Sequence, residues 1–240
     1  MSLIAAFPEL VEQACRFGVT GRALDRGLWR FNGFSLRDFA TDARKTIDGR
    51  PAGGGSGMVL MPAPLRQATQ AARLWHGGET KVILLSPDGD RLDQAMASRL
   101  AREPNVTLVA GRYEGLDQRW IDECVDFTIS IGDYVISGGE LAAAVVIDAM
   151  VRLLPGALGD SESALTESFS AELLDWPQYA LTNAAGNADI PSTLLGGNHA
   201  LIDRWRREQS LLKTARRRPD LLQKAKLTQA DRDFLTKNGL

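Results

Sequence analysis

The sequence has little of what marks secreted, membrane-spanning or metal-centred proteins. Its 240 residues include only two cysteines, Cys15 and Cys124, which support neither a disulfide framework nor a cysteine metal site. No run of about 18 apolar residues is present to cross a membrane, and no basic segment precedes an apolar stretch at the start of the chain. We therefore expect a cytoplasmic protein without a membrane partner.

Two common phosphate-binding motifs are also missing. The glycine-rich segment from Asp48 to Gly57 has neither the Gly-Lys-Ser/Thr ending of a P-loop nor the spacing of a dinucleotide fingerprint. Two interpretations of this segment stay open. It is either a flexible linker or an anion-binding nest flanked by Arg44, Lys45 and Arg50.

A strand and helix pattern runs through the first two thirds of the chain. The apolar run Leu3 to Phe7 is followed by a predicted helix from Pro8 to Phe17, and Leu28 to Phe34 alternates like a strand. Farther on, KVILL, VTLVA and DFTIS are β-rich runs separated by helical stretches. This order predicts parallel strands joined by crossover helices, closed by a long apolar helix from Leu141 to Leu154.

Each of the three β-rich runs ends in a polar, glycine-bearing loop. Because the carboxyl ends of parallel strands lie at one edge of a sheet, these loops are expected to converge. The stretch from Gly111 to Glu140 holds two of them and contains five glycines, seven acidic residues and two tyrosines. Since glycine lets the backbone approach a ligand closely, this edge is predicted to hold a small-molecule site. The three loops are Ser86 to Gly89, Gly111 to Gly115 and Ile131 to Tyr134.

Charge is unevenly distributed along the chain. From Arg204 to Lys226 there are nine Lys and Arg residues and two acids, a net charge of +7, whereas Met1 to Asp203 carry −9. Such segregation favours an anionic partner for the C-terminal part, although a solvated basic face would have the same composition. The acidic, serine-rich segment from Gly159 to Asp175 is typical of a linker between the two parts.

Five longer motifs occur in order along nearly the whole chain. They are DGRPAGGGSGM, SPDG, GRYEG, IGDYVISGGE and a C-terminal GGNH…RWRREQSL…RRPDLL. In this combination the chain resembles the bacterial tRNA (guanine-N1)-methyltransferase family of the SPOUT superfamily. The resemblance implies an α/β fold, with a SPOUT-type, trefoil-knotted parallel-sheet domain at 1–158. A linker at 159–176 and a small all-helical tRNA-binding domain at 177–240 would follow.

The resemblance also implies an activity. A methyl group would be transferred from S-adenosylmethionine to N1 of guanosine at position 37 of tRNA, 3′ to the anticodon, by a homodimer with its active site at the subunit interface. Two alternatives stay open: a tRNA-binding module with a cofactor pocket but impaired turnover, and another SPOUT enzyme that methylates ribose. No metal-binding residues are identified, and use of Mg²⁺ is left open because the sequence offers no ligand set for it.

The positions that match the family's cofactor-contacting motifs supply apolar surface and accessible backbone, as adenosylmethionine requires. Among them, Glu114 resembles the acid placed near the sulfonium and the tail amine, where a negative charge favours the cation. The matched positions are Leu84, Leu85, Ser86, Pro87, Gly111, Tyr113, Glu114, Gly115, Ile131, Gly132, Tyr134, Ile136, Gly138 and Gly139.

Methylation of guanine N1 requires a base and a cation, because this nitrogen carries a proton at neutral pH and its attack develops negative charge on O6. The resemblance implies Arg152 as the cation and Glu167 as the base. The family has Asp at the latter position. The extra methylene moves the carboxylate by about 1.5 Å, which can cost about 10²-fold in rate unless the linker shifts or Asp160 or Asp175 assists.

Contacts to tRNA are expected in the C-terminal part. His199 follows Asn198 at a predicted helix start, so a structural role is an alternative for it. The chain departs from the family at Ala52 and Ser56 of the glycine-rich loop. It also has Ala180-Leu181-Thr182 where the family commonly has Thr-Arg-Pro, which predicts altered local RNA contacts. The expected substrate-binding residues are Asp175, His199, Arg206, Arg216, Arg217 and Arg218.

Overall fold

The computed structural model of the chain describes residues 1–159, 167–181 and 189–240. These residues belong to two compact units, Met1–Ser161 and Glu162–Leu240. In the part of the chain that the structure describes, no helix has the length and apolar character needed to cross a membrane.

The first unit contains a parallel five-stranded sheet, as the pattern of β-rich runs predicts. The strands are β1 (Ser2–Ala5), β2 (Asn32–Ser35), β3 (Asp48–Gly49), β4 (Val59–Leu60), β5 (Lys81–Arg91), β6 (Val106–Ala110) and β7 (Phe127–Ser130). Five of these strands form the sheet, in the order β2-β1-β6-β5-β7, and every neighbouring pair is parallel. The short strands β3 and β4 form a separate antiparallel pair.

Helices cover both faces of this sheet. Alternation along the strands separates the two cores, since Leu3 and Ile83 pack in one layer and Ile4 and Val82 in the other. Helices α1, α2, α4 and α6 contribute to the first layer, and α3 and α5 contribute to the second. The helices of this unit are α1 (Pro8–Ala14), α2 (Gly18–Asp25), α3 (Pro62–His76), α4 (Gln94–Leu100), α5 (Gln118–Cys124) and α6 (Gly139–Val151), with a 3₁₀ turn at Leu36–Phe39.

Two predicted elements near the start have different bounds in the structure. The helix expected to reach Phe17 ends at Ala14, and Gly18, with φ of 63°, begins a second helix. The strand expected from Leu28 starts only at Asn32. The reason is local, because the Trp29 indole is buried and donates a hydrogen bond of 3.0 Å to the Thr20 carbonyl, which ties this aromatic segment to α2.

Strand β5 contains the segment Ser86 to Gly89, which was expected to be a separate loop. Its pairing with β7 shifts there, since Ile129 pairs with both Leu85 and Asp90. The four residues between them therefore bulge out of the ladder. Gly89 lies so close to β7 that an added Cβ would come within 2.5 Å of the Ile129 amide nitrogen.

The second unit is described through its helices and a small apolar core. Its helices are α7 (Ser192–Leu195), α8 (His199–Arg217), α9 (Pro219–Leu222) and α10 (Gln229–Lys237). Asn198 caps α8 by accepting a hydrogen bond from the Leu201 amide. The chain breaks between α8 and α9 at Arg218-Pro219, where Arg218 caps α8 and Pro219 begins α9. The core contains Leu173, Leu211 and Leu235.

Candidate functional site

The three loops predicted to converge meet around one pocket of the first unit, with a volume of about 290 Å³. It lies at the carboxyl edge of the parallel sheet, where ligands of α/β folds commonly bind. Its wall is mainly backbone and apolar side chain, as in many small-molecule sites. The predicted residues that line it are Leu85, Ser86, Pro87, Gly111, Tyr113, Glu114, Gly115, Ile131, Gly132, Tyr134, Ile136, Gly138 and Gly139.

Leu84 is the predicted cofactor-binding residue that lies elsewhere. Its side chain is almost fully buried in the opposite layer of the unit, with Ile4 and Trp120. The cause is the alternation of side chains along β5, which turns Leu85 toward the pocket and Leu84 away from it. The structure adds lining residues that the motif comparison did not select, namely Arg112, Leu116, Ile129, Ser130, Val135, Ser137 and Ala142.

An ion pair between Arg112 and Glu140 lies next to this pocket. Glu140 is fully buried and belongs to the first turn of α6, while Arg112 follows β6. The Glu140 carboxylate also accepts a 3.3 Å hydrogen bond from the Phe7 amide, and the Phe7 ring lies 4.7 Å from the guanidinium carbon of Arg112. These contacts hold the start of α6 against the loop after β6.

Two adjacent glycines make this close approach possible. An added Cβ on Gly138 would lie 2.7 Å from the guanidinium carbon of Arg112, and one on Gly139 would lie 2.9 Å from the Ala110 Cα. The Gly139 amide donates a 2.8 Å hydrogen bond to the Gly111 carbonyl. A side chain at either position would therefore separate α6 from β6 and alter the pocket.

The glycine-rich loop approaches the same pocket through Glu114. A Cβ on Gly57 would collide with the Glu114 carboxylate, and the Glu114 amide donates to the Met58 carbonyl at 2.9 Å. Gly57 has φ of 81°, which a residue with a side chain rarely adopts. The end of this loop is therefore packed onto the pocket wall. At this end, the loop is therefore packed and does not behave as a plain flexible linker.

Both pocket tyrosines remain accessible. Tyr113 is 50% exposed and adopts φ of 61°, which is uncommon for a residue other than glycine. Tyr134 is 56% exposed, and its hydroxyl donates to the Ile131 carbonyl over 3.4 Å. The rings thus form part of the pocket's accessible wall, where an aromatic face is available to a ligand.

A second pocket, also of about 290 Å³, lies entirely within the second unit. It brings together three of the predicted site residues, Glu167, Asp175 and Arg206. The Arg206 guanidinium lies 5.0 Å from the centre of the Trp176 ring, a cation–π contact. The pocket thus combines carboxylates, a cation and an aromatic face, the types of group that contact nucleotides.

The remaining predicted residues are distributed over both units. Arg152 caps the C-terminus of α6 and is half-buried. His199 is the first residue of α8, and Arg216 and Arg217 form its last turn; all three are exposed. Arg218 is paired with Asp220 at 2.7 Å.

Some predictions fall outside the described ranges or concern a metal. Asp160 and Thr182 lie outside the described residues. Within 1–159, 167–181 and 189–240, no group of three or more His, Cys, Asp and Glu side chains is placed to hold a metal ion.

Asp231 is a buried carboxylate of the second unit with a lowered pKa. Burial of Asp231 opposes its ionisation, but hydrogen bonds from Arg207 and Thr228 and the guanidinium charge outweigh this, so the pKa lies below its ordinary value. Asp231 completes a capping box with Thr228 at the start of α10. Because Arg207 belongs to α8 and also lines the second pocket, this pair joins α10 to the pocket wall.

Comparison with known proteins gives one consistent family. A family model described as tRNA (Guanine-1)-methyltransferase TrmD matches residues 1–224. Similar curated proteins are named tRNA (guanine-N(1)-)-methyltransferase. The one from Methylococcus capsulatus is 51% identical and covers 92% of this chain and 88% of its own length. Those from Halorhodospira halophila and Chromobacterium violaceum are 48% and 50% identical over 98% and 97% of this chain, and 89% and 92% of their own lengths.

Proposed function

The chain belongs to the tRNA (guanine-1)-methyltransferase family, and from this premise we propose how its residues divide the work. Membership makes it a methyltransferase that modifies N1 of guanine in tRNA. We place the methyl donor, S-adenosylmethionine, in the pocket at the carboxyl edge of the sheet. The target is guanosine 37, and the catalytic groups are Glu167 and Arg152.

The pocket of the first unit has the character that adenosylmethionine requires. Gly138 and Gly139 let the start of α6 pack against Arg112 and Ala110 beside the pocket, and apolar residues such as Leu85 and Ile136 supply a dry wall for an adenine ring. Glu114 provides a negative charge for the donor's cationic centre. The donor supplies a methyl group on a positively charged sulfur, which leaves as a neutral thioether.

The reaction also requires removal of the proton from guanine N1. We assign this step to the Glu167 carboxylate, which accepts the proton while N1 forms its bond to the methyl carbon. The negative charge that develops on O6 is assigned to Arg152, because a guanidinium donates hydrogen bonds and carries a permanent positive charge. Clustering of Glu167 with Asp175 and Arg206 around one pocket supports a nucleotide site there.

Binding of tRNA is assigned to the cations of the second unit. Arg216 and Arg217 are exposed on the last turn of α8, and Arg206 and His199 lie on the same helix. With Arg218 they would contact phosphates, whose neutralisation supplies much of the affinity for nucleic acid. Asp175 is assigned to the bound nucleotide itself. We propose 177–240 as the tRNA-binding domain and 159–176 as the connecting segment, whose part from Glu167 onward packs on the second unit through Leu173.

The finer features of the family are part of the same proposal. We infer a homodimer with the active site at the subunit interface, supported by Leu141 and Val145, which expose about half of their surface on α6 (51% and 49%). A trefoil knot in the sheet domain and a cytoplasmic location are inferred from the family.

Product analysis tests the proposed function. The protein is incubated with isotope-labelled S-adenosylmethionine and a tRNA transcript carrying guanosine 37, and the modified nucleoside is identified by mass spectrometry. The matched control is the same transcript with adenosine 37. We expect N1-methylguanosine from the first transcript and no product from the second.

Two other results would contradict the proposal. Tight binding of both ligands without product would indicate a tRNA-binding module with impaired turnover. A methyl group on ribose would instead indicate another SPOUT activity.

A further inference from the structure

The segment from Glu167 to Trp176 is attached to helix α8. Leu173 is nearly fully buried in the core that contains Leu211 of this helix. Within the segment, the Phe169 amide donates to the Leu173 carbonyl at 2.8 Å, and the Ser170 hydroxyl donates to the Glu167 carbonyl at 2.7 Å. The residue proposed as the base therefore begins a compact turn with an internal hydrogen-bond network.

Two neighbouring side chains of α8 hold the far end of this turn. The Thr214 hydroxyl, which is fully buried, accepts a 2.8 Å hydrogen bond from the Leu174 amide and donates one of 2.7 Å to the Ser210 carbonyl. The Lys213 ammonium donates a 2.7 Å hydrogen bond to the Asp175 carbonyl. Both side chains thus contact backbone atoms of the segment, which fixes its path along the helix.

The turn itself transmits this anchoring toward Glu167. The Asp175 amide donates to the Ser168 hydroxyl over 3.0 Å, so the anchored end is bonded to the residue next to Glu167. Phe169 and Glu172 adopt φ of 75° and 57°, conformations that residues with side chains keep only when their surroundings impose them. Release of the Thr214 and Lys213 contacts would remove part of that support.

We infer that Lys213 and Thr214 are positioning residues for the base, holding Glu167 at a fixed place relative to α8. This inference rests on the proposed role of Glu167 and extends it. Helix α8 also carries Arg206, Arg216 and Arg217, so the helix that binds tRNA also holds the carboxylate. Lys213 accordingly acts through the Asp175 carbonyl, and its ammonium is not one of the phosphate contacts.

The test separates positioning from tRNA binding. Thr214→Val removes the hydroxyl at nearly constant volume, and Lys213→Met removes the ammonium but keeps the aliphatic stem. We expect the single-turnover rate of methyl transfer at saturating tRNA to fall about tenfold or more in each, since misplacement near 1 Å can cost about 10²-fold. Affinities for tRNA and adenosylmethionine should stay within about twofold, and amide exchange over 168–176 should accelerate.

Two controls accompany these variants. Thr214→Ser restores the hydroxyl and should restore the rate, which a general loss of folding would not allow. Lys237→Met removes an exposed lysine of α10 and should change neither rate nor exchange. Unchanged transfer rates in both Thr214→Val and Lys213→Met would overturn the inference, as would weaker tRNA binding by Lys213→Met at an unchanged rate.

Wild-type protein and Glu167→Gln distinguish a failure of the inference from a failure of the proposed function. If the wild type forms N1-methylguanosine and Glu167→Gln is slow, normal rates in Thr214→Val and Lys213→Met contradict the positioning inference and leave the proposed function intact. If Glu167→Gln is as fast as the wild type, the assignment of the base is wrong, and the positioning inference is overturned with it.

Discussion

Arg112 and Glu140 are joined by one guanidinium nitrogen, Nε, which lies 2.9 Å from Oε1 and 3.0 Å from Oε2 of the carboxylate. The carboxylate is fully buried, while 23% of the Arg112 side chain remains exposed. The two residues are far apart in the sequence, one following β6 and the other in the first turn of α6. Their pairing therefore fixes the relative position of two walls of the pocket at the carboxyl edge of the sheet.

Removal of the carboxylate should destabilise the first unit and weaken donor binding. In Glu140→Ala a partly buried guanidinium loses its partner, and breaking such a pair costs about 3 kcal/mol of the free energy of unfolding. Urea unfolding and calorimetric titration with adenosylmethionine measure the two effects. The control is Glu79→Ala, which removes a highly exposed partner of Arg73 and should leave both unchanged. Normal donor affinity in a folded Glu140→Ala protein would contradict the role of the pair.

Glycine substitutions test the geometry of the same wall. Gly138→Val should abolish adenosylmethionine binding because its side chain would displace the Arg112–Glu140 pair. Gly115→Val should have the same effect for another reason, since Gly115 has φ of 121° and a β-branched residue is strained there. Gly159→Ala, where an added Cβ meets no atom within 4 Å, is the control. Calorimetry showing wild-type affinity for adenosylmethionine in both valine variants would mean that the donor does not bind in this pocket.

The outline of this site follows from local patterns in the sequence. The β-rich runs predict parallel strands, parallel strands place their carboxyl ends together, and the three loops do meet at one pocket. The bulge at Ser86 to Gly89 and the second helix at Gly18 depend on strand register and on backbone angles. Composition and periodicity carry little information on either.

Composition and periodicity do not predict contacts between residues that are distant in the sequence. The ion pair of Arg112 and Glu140 links residues 28 positions apart, and the hydrogen bond from Leu174 to Thr214 spans 40 positions. The acidic composition before Trp176 suggested a linker, yet one apolar residue, Leu173, attaches the segment to the second unit. The period of a sequence reveals which side chains share a face, but not which distant partner a polar group will meet.

Salt dependence tests the assignment of tRNA binding to α8. The triple variant Arg216→Ala, Arg217→Ala, Arg218→Ala should bind tRNA more weakly. The slope of log affinity against log salt should also become shallower by about 2 to 3, because each lost phosphate contact removes about 0.7–0.9 from that slope. Affinity for adenosylmethionine should not change. Arg102→Ala removes an exposed arginine of the first unit and should keep the slope. An unchanged slope in the triple variant would mean that this basic patch is only solvated.

Acid stability of the second unit should depend on Asp231. Its pKa is lower in the folded protein than in the unfolded chain, so its contribution is fully present above the unfolded value, about 3.9, and is lost as the pH falls through the folded value. Asp231→Asn should therefore have a smaller free energy of unfolding than the wild type at pH 7. On acidification to about pH 3, its free energy of unfolding should decrease less than that of the wild type. Urea unfolding at both pH values measures this, with the exposed Asp233→Asn of the same helix as control. Parallel losses in wild type and Asp231→Asn would contradict it.

The assignment of the base is tested at Glu167. Asp175 lies at the same pocket, but its two carboxylate oxygens accept hydrogen bonds from the Trp176 amide at 2.8 Å and the Gln178 side chain at 3.3 Å. These hydrogen bonds tie the Asp175 carboxylate to its own turn. Glu167→Gln keeps size and shape but removes basicity, so kcat should fall by about 10² or more while affinities for tRNA and adenosylmethionine hold.

The conservative change Glu167→Asp distinguishes chemistry from geometry at this position. It introduces the residue type that the family resemblance implies for the base and should retain or raise kcat if the segment before Ser168 adjusts by about the length of one methylene. Asp175→Asn is the matched comparison, expected to perturb the turn and lower tRNA affinity more than kcat. The measurement is kcat under conditions where methyl transfer limits the rate. A wild-type value in Glu167→Gln would move the base to Asp175 or Asp160, and the same substitution to the amide at each would then identify it.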